Sequence, residues 1–345
     1  MMRFDAGVAL ELREAPDAIR RQAHSLAHPL ADLIARLVRR PPNVVVTCAR
    51  GSSAHAATFA KHLIERHLGI PVAAAAPNIA SLYRRHMRLK DQLFLAISQS
   101  GASDDLVEAT VMARAAGALT AALVNDPGSP LAAACDIILP MGAGPELSVA
   151  ATKTFIASLA ALLRMTALWT GDHVMLGSCD RLAGRLAQAA ELDWSEALCP
   201  LASAHSLVTV GRGPTLAIAR EAALKLKETC ALHAEAFSSA EFRHGPVALV
   251  SSRYPVMIFA PTDESAAGLA NLAADLRHKG ACVLLAGALP TEKQVRRLPT
   301  LASEQAEADA MCLIQGFYAF LVRLAEARGT DIDSPRHLQK VTRTR

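Results

Sequence analysis

The chain has 345 residues, 52% of them hydrophobic and only 4% aromatic, with a formal net charge of +4. At about 100–200 residues per domain this length favours two domains, with cores built from Ala, Leu, Val and Ile rather than from rings. Basic residues are scattered, and the one dense basic stretch is the terminal RHLQKVTRTR. A nucleic-acid surface calls for a basic stripe with interleaved aromatics, so that class is set aside.

The seven cysteines are odd in number and form no CxxC. They suggest neither a disulfide framework nor a zinc site, and are expected to be reduced thiols in a cytoplasmic protein. The opening MMRFDAGVALELREAP mixes acids and bases unlike a signal peptide. The apolar run FIASLAALL stops at Arg164, short of the ~20 residues of a membrane span. A soluble chain with no membrane partner is expected.

A helical lead-in, DAIRRQAHSLAHPLADLIARLVRR, ends at the breaker Pro41-Pro42. Strand NVVVTCA follows, then the turn RGSS and the helical AHAATFAKHLIERHL. Strand QLFLAIS leads through QSG into the helical SDDLVEATVMARAAG, and strand LTAALVN closes on DPGSP. Apolar strands alternating with helices predict an α/β protein whose parallel sheet is covered on both faces.

The pattern then repeats. HSLVTVGRGPTLAIAREAALKLKE has a strand, an RG turn and a long helix; PVMIFAPTDE corresponds to QLFLAISQSG, and KGACVLLAG to AGALTAALV. Arg50 and Arg212, Phe94 and Met257, and Gly117 and Gly280 keep a near-constant offset, which predicts two related α/β domains. The expected organisation is a lead-in over 1–40, domains over 41–172 and 190–330, and a tail over 331–345.

The two copies differ where the second strand ends: SQSGASD in the first, APTDES in the second. A scaffold turn would suit both copies, whereas a binding turn needs to exist in only one. Ligands of a parallel sheet sit outside the carboxyl ends of its strands, where the N–H groups and dipole of the next helix favour an anion. Gly101 lets the backbone approach closely, Ser98, Ser100 and Ser103 supply hydroxyls, and Gln99 supplies an amide. No Walker lysine follows, so a single phosphate suits the turn better than a nucleoside triphosphate. The RGSS turn at 50–53 is placed to close on the same anion, although a Ser-rich helix cap with no ligand would read alike.

Glu221, Lys225 and Glu228 fall on one face of a predicted helix. By spacing they form either a surface ion-pair ladder or a carboxylate held beside a lysine for proton transfer. Glu235 and Glu241 are weaker candidates. His244, in EFRHGP, is the best-placed proton donor or acceptor, though loop histidines are commonly just solvated. His24 and His28 share a helix face without a third ligand, so no metal is expected.

Six stretches together carry a resemblance: ELREAPDAI, ISQSGASDD, PELSVAATKTF, EAALKLKE, HAEAFSSAEFRHGPVAL and RGTDIDSPRHLQKVT. In that order they resemble the isomerase half of glucosamine-6-phosphate synthase, a tandem pair of sugar isomerase (SIS) domains. The resemblance implies two SIS domains, each a parallel-sheet α/β sandwich, and a sugar 6-phosphate held by Ser53, Ser98, Gln99, Ser100 and Ser103. It implies Glu228 as the isomerisation base with Lys225 one turn earlier, His244 as a ring-opening histidine supplied by a neighbouring subunit, and Lys340 as a tail lysine meeting the open-chain sugar.

In PELSVAATKTF, Glu146, Val149 and Thr152 fit the family, and Val149 and Ala151 fall at its sugar-contact positions. Ala151 stands where the synthase has a serine, and Ser148 where it has a glycine. The synthase also carries a glutaminase domain with a cysteine nucleophile; here the sequence starts MMRF and its first cysteine is Cys48, inside a predicted strand. The ARGSS turn resembles the stand-alone deaminase branch.

The expectation is a homodimeric deaminase with shared active sites. It would convert glucosamine 6-phosphate to fructose 6-phosphate and ammonia without metal or organic cofactor. Alternatives are a deaminase, isomerase or deglycase for another amino-sugar phosphate, and a non-catalytic sugar-phosphate sensor.

Overall fold

The computed structural model describes residues 7–289 and 295–340. The first residues of the lead-in and the end of the tail, 341–345, lie outside the described residues. The chain divides into two compact units. The first holds Glu14–Glu146 and Lys153–Ala183 with the tail from Gln339; the second holds Leu147–Thr152 and Gly184–Leu338 with the chain up to Arg13.

The first unit contains a parallel five-stranded sheet of β1 (Val45–Ala49), β2 (Val72–Ala74), β3 (Leu93–Ser98), β4 (Leu119–Val124) and β5 (Ile137–Pro140), in the order β2-β1-β3-β4-β5. Its helices are α1 (Ala15–Ser25), α2 (Ala27–Arg39), α3 (Gly51–Leu68), α4 (Asp104–Ala115) and α5 (Lys153–Thr170), with α6 (His173–Ala189) crossing the division between units. Val46, Cys48, Phe94 and Ala96 point to the face covered by α4 through Leu106, Ala109, Met112 and Ala113. Their strand neighbours Val45, Leu93, Leu95 and Ile97 point the other way and are equally inaccessible. Burial on both faces explains why these strands are continuous apolar runs and not alternating ones.

The second unit repeats the plan. Its strands are β6 (Ser206–Gly211), β7 (His233–Ser238), β8 (Pro255–Phe259), β9 (Cys282–Ala286) and β10 (Arg296–Leu298), parallel in the order β10-β9-β8-β6-β7. Read from its own first strand this is the same order as the first sheet, listed from the opposite edge. Helix α7 (Thr215–Cys230) follows β6, α8 (Ala267–His278) precedes β9, and α9 (Ala306–Ala327) packs on α7. By length and composition α9 could cross a membrane, yet 83% of its apolar window is buried inside the protein. It is a core helix.

The repeat extends to a turn. Gly117 ends α4 at φ 84 and Gly280 ends α8 at φ 87. Each carbonyl accepts the N–H that enters the earlier strand, from Asp91 at 2.9 Å and from Arg253 at 2.7 Å. A Cβ at either glycine meets only ordinary contacts, the nearest at 3.5 and 3.4 Å. Gly117→Ala and Gly280→Ala are therefore expected to cost similar amounts, about 1–2 kcal/mol each from the left-handed backbone alone. Urea titration of the two variants checks this, and a cost confined to one of them would refute the equivalence.

Candidate active site

In the order β2-β1-β3, connections leave β1 and β3 in opposite directions. A crevice therefore opens outside their carboxyl ends, where open α/β sheets bind ligands. Both hydroxyl turns of the first unit lie there. Ser53 is half-buried in the first turn of α3, and no side chain caps that helix. Ser98 ends β3; its buried Oγ accepts the Gly101 N–H at 3.1 Å, which leaves the hydroxyl proton to donate elsewhere. Ser100 Oγ accepts from the Ala102 N–H at 3.3 Å. The Gln99 carbonyl accepts the Asn125 N–H at 3.3 Å, and its side chain is half-buried.

Gly101 has φ +61, and a Cβ there would lie 2.1 Å from Ser129 Oγ, so the turn needs glycine for conformation and for space. Ser103 is the N-cap residue of α4, but its hydroxyl makes no capping bond. The turn thus presents hydroxyls at two helix N-termini without spending them all on the backbone.

Arg50, read from sequence only as a marker of the repeat and part of the RGSS turn, and Asp105, not named there, join the two turns. The Arg50 guanidinium, half-exposed, donates to the buried Asp105 Oδ2 at 2.6 and 3.2 Å. A cation is thereby held at the mouth of the hydroxyl turns. The signal was present in sequence, as the arginine that closes β1 and recurs as Arg212, but only the tertiary pairing gives it this position.

The corresponding turns of the second unit are closed on themselves. The Thr215 hydroxyl donates to the Phe259 carbonyl at 2.6 Å and accepts the Arg212 N–H at 3.0 Å. Thr262 donates to Asp309 at 2.7 Å, and Asp309 pairs with Arg185 at 2.6 Å. Asp263 accepts from the Ser265 N–H at 3.0 Å. Polar groups here are satisfied internally and several are acidic, so the second copy does not offer an anion the same welcome.

What the second unit offers is α7. Lys225 is 1% exposed, with Nζ 2.5 Å from Glu228 Oε2 and 3.5 Å from Glu221 Oε1. Glu221 is fully buried and accepts from the Tyr318 hydroxyl at 3.2 Å. Glu228, at the outer end, keeps 21% of its side chain exposed. The surface-ladder alternative therefore fails, because two of the three groups are inside the protein. A buried ammonium between two carboxylates is compensated, and it fixes the orientation of the one carboxylate that solvent can reach.

His244 follows the short helix Ser239–Arg243, donates its N–H to the Glu241 carbonyl at 3.0 Å, and is exposed. Its ring makes no hydrogen bond with another described residue. Glu235 is exposed on β7, and Glu241 is exposed in the short helix. His24 and His28 are both exposed, and among the described residues no group of three or more His, Cys, Asp or Glu could hold a metal ion.

The PELSVAATKTF stretch divides between the units. In the first, buried Glu146 accepts from the Thr154 N–H at 3.1 Å and hydroxyl at 2.6 Å, capping α5, and Lys340 Nζ reaches the same carboxylate at 3.4 Å. The tail lysine is thus seated on a carboxylate that also holds a helix N-terminus. Buried Lys153 pairs with Glu14 and donates to the Pro145 carbonyl at 2.5 Å. In the second unit, Glu11 accepts the N–H groups of Leu147 and Ser148 at 2.5 and 3.1 Å. That anchor steadies the loop bearing half-buried Val149 and Ala151 and buried Thr152. Glu11 and Glu14 were overlooked as individual residues, although both lie in the ELREAPDAI stretch.

The SIS domain family matches residues 40–168 and 200–288. The chain belongs to the SIS domain family. It is 34% identical over 318 residues to the glutamine–fructose-6-phosphate aminotransferase (isomerizing) of Symbiobacterium thermophilum, covering 86% of this chain and 51% of that protein. The chain thus spans about half the length of that relative. A crystal structure of a candidate phosphosugar isomerase from Silicibacter pomeroyi DSS-3 is 42% identical, with a TM-score of 0.90 over 94% of this chain and 98% of that one. The C-terminal domain of glucosamine-fructose-6-phosphate aminotransferase from Francisella tularensis shares the fold, at 24% identity and a TM-score of 0.87 over 96% and 99% of the two chains.

The buried triad makes its own prediction. Lys225→Met keeps volume but removes the cation between two carboxylates, so the SIS chain should lose about 3–5 kcal/mol of stability. A thermal or urea melt reads this directly. A loss below ~1 kcal/mol, the range of an exposed pair, would place the triad on the surface after all.

Proposed function

We propose that this SIS chain is a phosphosugar isomerase that deaminates glucosamine 6-phosphate to fructose 6-phosphate and ammonia. The observation that carries the reading is the buried Lys225, which fixes Glu228 as a carboxylate with one accessible edge. A proton shuttle between adjacent carbons needs such a base, held in place yet reachable. The hydroxyl turn at β1 and β3, with Arg50 at its mouth, supports binding of the 6-phosphate through Ser53, Ser98, Gln99, Ser100 and Ser103.

In this mechanism His244 assists opening of the pyranose. Glu228 takes the proton from C2 of the open aldehyde, leaving an enolamine, and returns a proton to C1. The product is the C2 imine of fructose 6-phosphate. Water adds to that imine, and the C–N bond breaks as ammonia leaves. Lys225 supports the carboxylate through both transfers and adds positive charge where oxygen gains electron density. Lys340 meets the open chain, and its seat on Glu146 is where the tail rests before doing so. Val149 and Ala151 contact the sugar from an anchored loop.

Five of the seven thiols are poorly suited to glutamine hydrolysis, whereas Cys199 is exposed and Cys282 half-buried. That hydrolysis needs an activated nucleophile. Burial pushes Cys48, Cys135, Cys179 and Cys312 up to about 12 and Cys230 up to about 11, which keeps them protonated and inert at neutral pH.

The deciding assay is ammonia release from glucosamine 6-phosphate, with galactosamine 6-phosphate in parallel. Glu228→Gln should lower turnover by roughly 10²–10⁴ with little change in KM. Ser98→Ala and Ser100→Ala should raise KM about tenfold or more, since each loses a hydrogen bond to a charged group. Binding of sugar phosphate without any ammonia release would replace the deaminase by a sensor.

Exposure of His244 supports a histidine lent to a neighbouring subunit, and hence a homodimer with shared sites. Mixing Glu228→Gln with His244→Ala subunits should then restore part of the activity. Failure to recover any, despite demonstrated subunit exchange, would put both residues to work within one subunit.

A further inference from the structure

A cavity of about 690 Å³ opens in the second unit at the amino ends of its strands. Ser206, Pro255, Cys282 and Arg296, the first residues of β6, β8, β9 and β10, all line it. This is the opposite end of β6 from α7, so the cavity is separate from Lys225 and Glu228. Its volume falls within the ~300–1,000 Å³ of small-molecule sites.

The lining is cationic and one-sided. Arg253 and Arg296 contribute to it, and among the described residues no aspartate or glutamate does. Exposed Arg253 makes no side-chain hydrogen bond or ion pair with another described residue. It is held at φ 66, in the left-handed region, which a bulky side chain rarely adopts. Arg296 donates to the Glu196 carbonyl at 3.3 Å and reaches its carboxylate only at 3.9 Å. Burial pushes the Cys282 thiol up, while the charges of Arg296 and Arg253 act on it in the other direction.

Tyr254 gives the cavity an amphipathic wall, packed against the apolar core of the unit. Ser206 and Ser252 also line the cavity, and neither hydroxyl has a side-chain partner among the described residues. Two arginine forks and two serines, with no acid among the described lining residues, suit a doubly charged oxyanion better than a single carboxylate.

We propose that this cavity is a second ligand site, for a small organic phosphate, built by Arg253 and Arg296 at the amino ends of the second sheet. It is independent of the hydroxyl turn of the first unit and of the reaction assigned above. The sugar or nucleoside part of the ligand lies along Tyr254, and the phosphate lies between the guanidinium groups.

Calorimetric titration with inorganic pyrophosphate tests the site. Ser98→Ala/Ser100→Ala protein, with the hydroxyl turn weakened, should still bind pyrophosphate saturably. Adding Arg253→Ala/Arg296→Ala should weaken that binding about tenfold or more. Arg253→Lys/Arg296→Lys, which keeps the charge but loses the planar forks, should fall between. The arginine pair alone should leave melting temperature and turnover unchanged, because both side chains are largely solvated. Pyrophosphate binding that is indifferent to the arginine changes, or no saturable binding in the Ser98→Ala/Ser100→Ala protein, would overturn the proposal.

Discussion

A parallel strand can be reached only by a crossover, and crossovers are right-handed. In both sheets the first strand lies inside the order and not at an edge, so the chain must turn to opposite sides after leaving it and after its third strand. Helices then cover both faces, and a crevice is left outside the carboxyl ends where the direction reverses. Hydrophobic burial, the strand order and the place where a ligand can approach all follow from that one constraint. At the opposite, amino ends of the second sheet the charge in the cavity comes from side chains, Arg253 and Arg296.

Two copies of one scaffold have been put to different uses. In the first, the turns at the reversal leave serine hydroxyls and helix N–H groups available and place an arginine beside them. In the second, Thr215, Thr262 and Asp309 tie the equivalent turns into internal hydrogen bonds. The second unit instead holds a buried ammonium between two carboxylates on α7. Removing one partner of such a group costs far more than the pair contributes in place. A buried lysine at this position therefore points to a demand for fixed geometry.

A second theme is the use of carboxylates as anchors for loops and tails. Glu11 gathers two loop N–H groups, and Glu146 caps a helix while receiving Lys340. In each case a buried acid satisfies backbone donors that would otherwise be stranded. The segments so anchored carry the side chains that the SIS resemblance assigns to the sugar.

The sequence by itself determined the α/β class, the duplication and all six central strands, because a strand buried on both faces must be written as an uninterrupted apolar run. The four strands it did not reveal, β2, β5, β7 and β10, are the four sheet edges. An edge is short or half-solvated and so carries a weak pattern: HAEAFS of β7 reads as a polar loop until β6 is seen pairing with it. The hydroxyl turn was legible because the two copies could be compared, and the glycine in it because its backbone needs φ > 0. Spacing placed Glu221, Lys225 and Glu228 on one face of α7, but only the tertiary structure decided that the face is buried, since burial depends on Tyr318 and the rest of α9 arriving from nearly a hundred residues away. The same holds for Arg50 beside Asp105, and for Arg253 and Arg296 in the lining of one cavity. Charges far apart in sequence acquire a common field only when the fold removes the chain between them.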